Sequence, residues 1–269
     1  MVSLPFTVAL AFQTQSFSVP DSQRYPNPAF LRDSIIDGRW VRAKQLLEMI
    51  KASGKVVDMK QVEGLCEFSG ASDRYANVLT GIRMCHDFGA DIKGHGGKLL
   101  GICAGKDQWG EVTERLIQYG ADPKGGFIKS KAGLTAWGPI STTVAFNKKT
   151  IVAEIYLKNG ASPDVFCDFG GYNHLMRGTR YSPLMTAAAE NRKEFIPILL
   201  KYKAKVDLRC PEDGMTALHL AARWNSAEIV TLLLAAKADR RLRDKKGMTA
   251  LAVARKFKAK NAIKALEAK

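Results

Sequence analysis

The chain has 269 residues, 46% hydrophobic and 25% charged, an ordinary globular composition, and it carries a formal net charge of +15. No apolar run approaches the roughly 18–20 residues that cross a bilayer as a helix, so no transmembrane segment is expected. Five scattered cysteines (Cys66, Cys85, Cys103, Cys167 and Cys210) form no C-x-x-C pair and no Cys/His ligand spacing, which argues against a zinc site and a disulfide framework and for reduced thiols inside a cell.

In chain order, residues 1–27 come first and read as a flexible N-terminal segment. Met1 to Ala11 is apolar but short, and its start carries no Lys or Arg. Ala9-Leu10-Ala11 followed by Phe12 resembles the cleavage junction of a plastid-targeting leader. The stretch through Asn27 is rich in Ser, Gln and Pro, with Asp21 as its one acid, which would suit a transit segment. The expected compartment is therefore cytoplasmic or nuclear, with a plastid or other organelle as the alternative.

From residue 28 onward the sequence repeats itself. Gly214-Met-Thr-Ala-Leu218 recurs 33 residues later as Gly247-Met-Thr-Ala-Leu251, and Leu184-Met-Thr-Ala-Ala188 aligns with Leu218-His-Leu-Ala-Ala222. A second landmark closes each block: Gly54, Gly89-Ala90-Asp91, Gly120-Ala121-Asp122, Gly160-Ala161-Ser162, Lys203-Ala204 and Lys237-Ala238-Asp239. Their spacing describes a period near 33 residues with insertions.

Between landmarks the apolar spacing is helical. Trp40 to Lys51 precedes Gly54. Phe195, Ile196, Ile198, Leu199 and Leu200, and likewise Ile229, Val230, Leu232, Leu233 and Leu234, crowd one side of a short helix. Shorter alanine-rich helices, Leu184 to Ala189 and Leu218 to Arg223, come before them. Asn191 and Asn225 stand where a left-handed residue can end the first helix cheaply. Such a pair cannot bury enough surface alone, so an all-α solenoid of about seven stacked helix-turn-helix repeats over residues 28–269 is expected. Lys256, Lys258, Lys260, Lys264 and Lys269 supply the polar outer face that a terminal repeat needs. Cys103 stands where other repeats carry a small alanine and is assigned to packing. Truncating Leu218 or Leu232 to alanine should cost about 2–5 kcal/mol if both are core.

These residues resemble the ankyrin-repeat family, whose repeat reads roughly G-x-T-P-L-H-x-A-A, a second helix with L-L, then G-A-D. Gly214, Thr216, Leu218, His219, Ala221 and Ala222 match, as do Gly247, Thr249 and Leu251. The match is closest across 181–269; over 28–79 only the helix-helix-Gly rhythm survives. The resemblance implies that Thr216 and His219 tie adjacent turns together. Ala252 replaces the histidine in repeat seven, where the link should be lost.

Chemistry has few candidates. Gly94-His95-Gly96-Gly97-Lys98 fails the phosphate-loop spacing, since Ile92 replaces the first glycine and Leu99 the Ser/Thr. A hairpin tip between repeats explains it better. His86, His95, His174 and His219 fall in different repeats, and the carboxylates are spread singly. No catalytic residue, cofactor or metal site is assigned, and the chain is read as a non-enzyme.

Binding has more support. Residues 201–269 hold 17 Lys/Arg against 7 Asp/Glu, so two thirds of the positive excess sits in the last quarter of the chain. Such a field favours acidic partners. The resemblance implies that partners dock on the hairpin tips and the first-helix face. Those positions are Arg223-Trp224 and Lys256-Phe257, with Met215, Lys245, Lys246 and Met248 at the adjoining tips. A second candidate is an enlarged finger at 164–180, containing Phe166, Phe169, Tyr172, Met176, Arg177 and Arg180. The expected function is a scaffold or adaptor, a monomer or a subunit of a hetero-complex, that binds an acidic protein. A structural subunit of a ribonucleoprotein or organellar assembly, contacting RNA phosphates, is the alternative and is held lower because no RNA-binding motif is present.

Overall fold

The computed structural model describes residues 28–67, 74–124, 128–129, 136–137, 139–168 and 180–268. The expected leader, residues 1–27, lies outside them. Among the described residues the helices fall into seven antiparallel pairs. These are α1 (Pro28–Ile36) with α2 (Trp40–Ala52), α3 (Met59–Glu67) with α4 (Tyr75–Asp87), and α5 (Ile92–Ala104) with α6 (Gly110–Gln118). Then come α7 (Pro139–Phe146) with α8 (Ile151–Lys158), α9 (Pro183–Ala189) with α10 (Phe195–Lys201), α11 (Ala217–Arg223) with α12 (Ala227–Ala235), and α13 (Ala250–Lys256) with α14 (Lys260–Glu267). The expected solenoid is the observed one.

Each landmark sits where the backbone turns left-handed. Gly54, Gly89, Gly120 and Gly160 close the second helices with φ between 70° and 94°, and Lys203 and Lys237 do the same at 66° and 65°. Gly38, Asn191, Asn225 and Lys258 play this part after the first helices, at 68°, 53°, 57° and 55°. Glycine enters this region without a Cβ clash and asparagine enters it cheaply, whereas lysine does so at a cost of roughly 1 kcal/mol.

The first helices stack in a row, each packed on the next from α1 to α13. Their small buried residues, among them Ala104, Ala187, Ala188, Ala221, Ala222 and Ala254, let neighbouring backbones approach, and Cys103 is buried in the same row. Larger side chains such as Ile35, Leu65, Leu99, Leu184, Leu218 and Phe195 fill the continuous core between the helix rows. All five cysteines are buried thiols. Burial pushes the Cys85 and Cys210 thiols up to about 12, so they stay protonated at neutral pH. Cys66 is raised as well, first by its hydrogen bond with Cys103 and then by burial.

Short antiparallel ribbons project between repeats. β1 (Ile128–Lys129) pairs with β2 (Ala136–Trp137), and β3 (Cys167–Asp168) pairs with β4 (Arg180–Tyr181). The second ribbon is the base of the finger expected at 164–180.

Two expectations are corrected. Gly94 to Lys98 is not a hairpin tip but the first turns of α5, capped by the Asp91 carboxylate, which accepts the Gly94 N–H at 2.8 Å. A Cβ on Gly96 would lie 2.4 Å from Ala121 Cα, so the glycine is there for close approach of a helix to the preceding landmark turn's successor. Leu232 is half-buried at the edge of α12, where Ile229, Val230 and Leu233 point inward instead. Its truncation should therefore cost less than a full core leucine.

Candidate functional site: a basic and aromatic face on repeats six and seven

Both α11 and α13 end on an aromatic residue, Trp224 and Phe257, 33 positions apart. Stacking the two helices brings these ends side by side. The Arg223 guanidinium lies 5.5 Å from the centre of the Trp224 ring and 5.0 Å from that of Phe257. Both rings are exposed, at 38% and 47%. The cation lies over both rings, each contact worth about 0.5–1 kcal/mol at an exposed site. No carboxylate among the described residues forms an ion pair with Arg223, which is half-buried. Lys256 and Lys258 are exposed beside it, while Arg255 is taken by Glu267 at 2.7 Å.

The fingers above this face are fixed by backbone hydrogen bonds. Asp244, almost fully buried, accepts the N–H groups of Lys246 and Met248 at 2.9 and 2.8 Å, and its own N–H donates to the Met248 carbonyl. Gly214 and Gly247 occupy left-handed positions at the two tips. The tips are linked: the Lys245 N–H donates to the Asp213 carbonyl and the Lys245 ammonium to the Pro211 carbonyl. Lys245 and Lys246 are exposed, and Met248 is half-buried.

Thr216 and His219 form the expected tie. The Thr216 N–H and hydroxyl both reach His219 Nδ1, at 3.3 and 2.9 Å, which leaves the ring proton on Nε2. That Nε2–H donates 3.0 Å to the Met248 carbonyl of the next finger. Burial holds the His219 pKa below its usual 6.5 and keeps the ring neutral. In repeat seven Thr249 only caps its own helix, accepting the Ala252 N–H at 3.3 Å, and Leu251 is half-buried.

Three of the expected contact residues stand differently. Met215 is 6% exposed and belongs to the core, and its carbonyl accepts the Cys210 N–H across the finger turn. Arg180 is committed to Glu212, its guanidinium 2.7 Å and its N–H 3.0 Å from the carboxylate. Although burial works against the charge, these donors and the Cys210 thiol hold Glu212 down to about 2. Phe166 is half-buried and packs against the core. Phe169, Tyr172, Met176 and Arg177 lie outside the described residues.

Asp244, Glu212 and Asn225 were missed as structural anchors of this face. Asn225 Oδ1 accepts the N–H groups of Asn261 and Ala262 at 2.9 and 3.0 Å, capping α14 from the preceding repeat. The Asp107 carboxylate accepts the N–H groups of Lys148 and Lys149, just ahead of α8, at 3.0 and 2.8 Å. For Asn225 and Asp107 the signal is a polar residue just after a first helix, which periodicity of apolar residues does not weigh.

Among the described residues no group of His, Cys, Asp and Glu could hold a metal ion, and no helix is long and apolar enough to cross a membrane. A family model described as ankyrin repeats, in three copies, matches residues 140–244 and again residues 184–269. No curated protein matches the chain.

Proposed function

Residues 140–269 belong to the ankyrin-repeat family, whose repeats are generally protein–protein interaction modules, and from that premise we propose that this chain is a non-enzymatic scaffold or adaptor for an acidic protein. The partner lies across the first-helix ends and finger tips of repeats six and seven. One observation carries the proposal: Arg223 lies over two exposed rings and forms no ion pair with a carboxylate among the described residues. Aromatic residues and arginine are the side chains that most often dominate binding energy, and the surrounding Lys245, Lys246, Lys256 and Lys258 would speed encounter with an acidic surface. Five buried thiols fit a reducing compartment.

The positive excess of residues 201–269 also favours RNA as a ligand, in a structural subunit of a ribonucleoprotein. Affinity capture with the intact chain, at two salt concentrations and with or without nuclease, separates the two. For the scaffold, acidic proteins are retained after nuclease and are lost when Arg223→Ala and Trp224→Ala are combined. Capture that disappears with nuclease, with a steep salt dependence and no response to the double substitution, would transfer the function to RNA.

A further inference from the structure

The cation-on-ring arrangement of repeat six recurs at the other end of the stack. The Arg42 guanidinium, exposed at the start of α2, lies 5.7 Å from the centre of the Phe30 ring, and among the described residues it forms no ion pair. Phe30, Val41 and Met49 are exposed beside it, Val41 by 75%. Val41, Gln45 and Met49 follow one another at i, i+4 and i+8, on the side of α2 away from the buried Ala43, Leu46 and Leu47. A shallow groove lined by Gly38, Arg39, Trp40, Val41, Arg42 and Gln45 runs along the amino-terminal half of this stripe. Helical spacing sets Arg42 on one border of the stripe and Lys44 and Lys51 on the other. Glu48, 3.9 Å from Lys44, is the one carboxylate on α2, so three cations rim the stripe against a single acid.

We propose that this face is a second docking surface, for an acidic amphipathic helix of a partner protein. An exposed apolar stripe with a charged rim is the surface pattern of such a contact. From Val41 to Met49 the stripe is about 12 Å long, roughly two helical turns, which matches the i, i+4 and i+7 anchors of a docked helix. The cationic rim calls for carboxylates beside those anchors. The same rim argues against a second copy of this chain. Pairing the face with itself would set Arg42, Lys44 and Lys51 against their own kind, in molecules that each carry +15. Gln45 argues against a lipid surface. Its amide stands in the middle of the stripe and would be dehydrated without a partner in hydrocarbon, whereas a protein segment supplies hydrogen-bonding groups.

The test uses the full chain carrying Arg223→Ala and Trp224→Ala, so that the face on repeats six and seven contributes nothing to the signal. The probe is a fluorescein-labelled synthetic peptide, helical by circular dichroism, with leucine on one face and glutamate on the rest. Fluorescence anisotropy reads its binding. The expected result is saturable binding that weakens about tenfold or more when Val41→Asp and Arg42→Glu are added, and likewise when lysine replaces glutamate in the probe. Both positions are exposed, so the added substitutions leave the core intact, and circular dichroism of the variant checks the fold. No binding, or binding indifferent to either change, would overturn the proposal. So would a dimer of this chain that the two added substitutions dissociate, which assigns the face to a second copy. Pelleting with phosphatidylcholine–phosphatidylserine vesicles that they abolish would overturn it too, in favour of a membrane.

Discussion

Repeats five to seven and repeats one to three build the same stack with different joints. In the later repeats the joints are hydrogen bonds through specific side chains: His219 to the next finger, Asn225 to the next helix, and Arg180 to Glu212. In the earlier repeats such bonds, Asn77 Nδ2–H to the Ile36 carbonyl and Lys106 to the Cys66 carbonyl, are joined by close contacts of small residues. A Cβ on Gly81 would lie 2.1 Å from Ile35 Cγ2, and one on Gly96 would run into Ala121. Cys66, Cys85 and Cys103 fill the same part of the core. One architecture is therefore held by directional bonds along its length, with tight steric fit added at the early end. Sequence motifs record the first kind of joint far better than the second.

The comparison can be pressed first at the core itself. Leu65→Ala in α3 and Leu218→Ala in α11 remove equally buried side chains, and each should lower the unfolding free energy by about 2–5 kcal/mol. Denaturant unfolding checks this; a loss near zero for Leu65→Ala would mean that the early repeats are not packed as described. Next come the joints. Gly96→Ala forces a helix away from Ala121 and should cost about 1–3 kcal/mol. Gly247→Ala has nothing within 4 Å and bears only the left-handed backbone penalty, on the order of 1 kcal/mol. A larger loss at Gly247 than at Gly96 would invert the assignment of steric and directional joints.

His219→Gln removes the directional tie and should cost about 1–2 kcal/mol near neutral pH. Here pH adds a signature. Because burial lowers the folded pKa of His219 below 6.5, the unfolded chain binds more protons as the solution is acidified. The stabilising effect of the neutral ring is then full above pH 6.5 and shrinks as the pH falls through that value toward the folded pKa. Urea titrations at several pH values should find the gap between wild type and His219→Gln narrowing on acidification. The smallest effect concerns the landmarks. Lys237 holds a left-handed φ of 65° that glycine adopts freely, so Lys237→Gly should raise stability by up to about 1 kcal/mol, read as a higher melting temperature.

Much of the fold was legible because the landmarks are backbone requirements. Gly54, Gly89, Gly120 and Gly160 mark left-handed turns, and their spacing alone gives the repeat count. Asn191 and Asn225 were read correctly for the same reason. Gly94 to Lys98 misled because glycine serves two ends, turning a chain and admitting a neighbour, and only the second applies at Gly96. For the candidate site, the positions of Arg223, Trp224 and Phe257 followed from the period. What did not follow was the state of each neighbour. Met215 is buried in a finger turn closed by the Cys210 N–H to its carbonyl, and Arg180 is neutralised by a carboxylate 32 residues away. Neither partner is visible in the local sequence.

The carboxamide of Asn225 caps a helix that lies later in the chain, the carboxylate of Asp107 holds the turn ahead of α8, and His219 looks toward Met248. These contacts point from the amino end to the carboxyl end. During synthesis, a new helix emerging from the ribosome finds its acceptor already seated on the hairpin before it. Growth of the stack thereby acquires a direction, and the terminal helix α14 becomes the last to close.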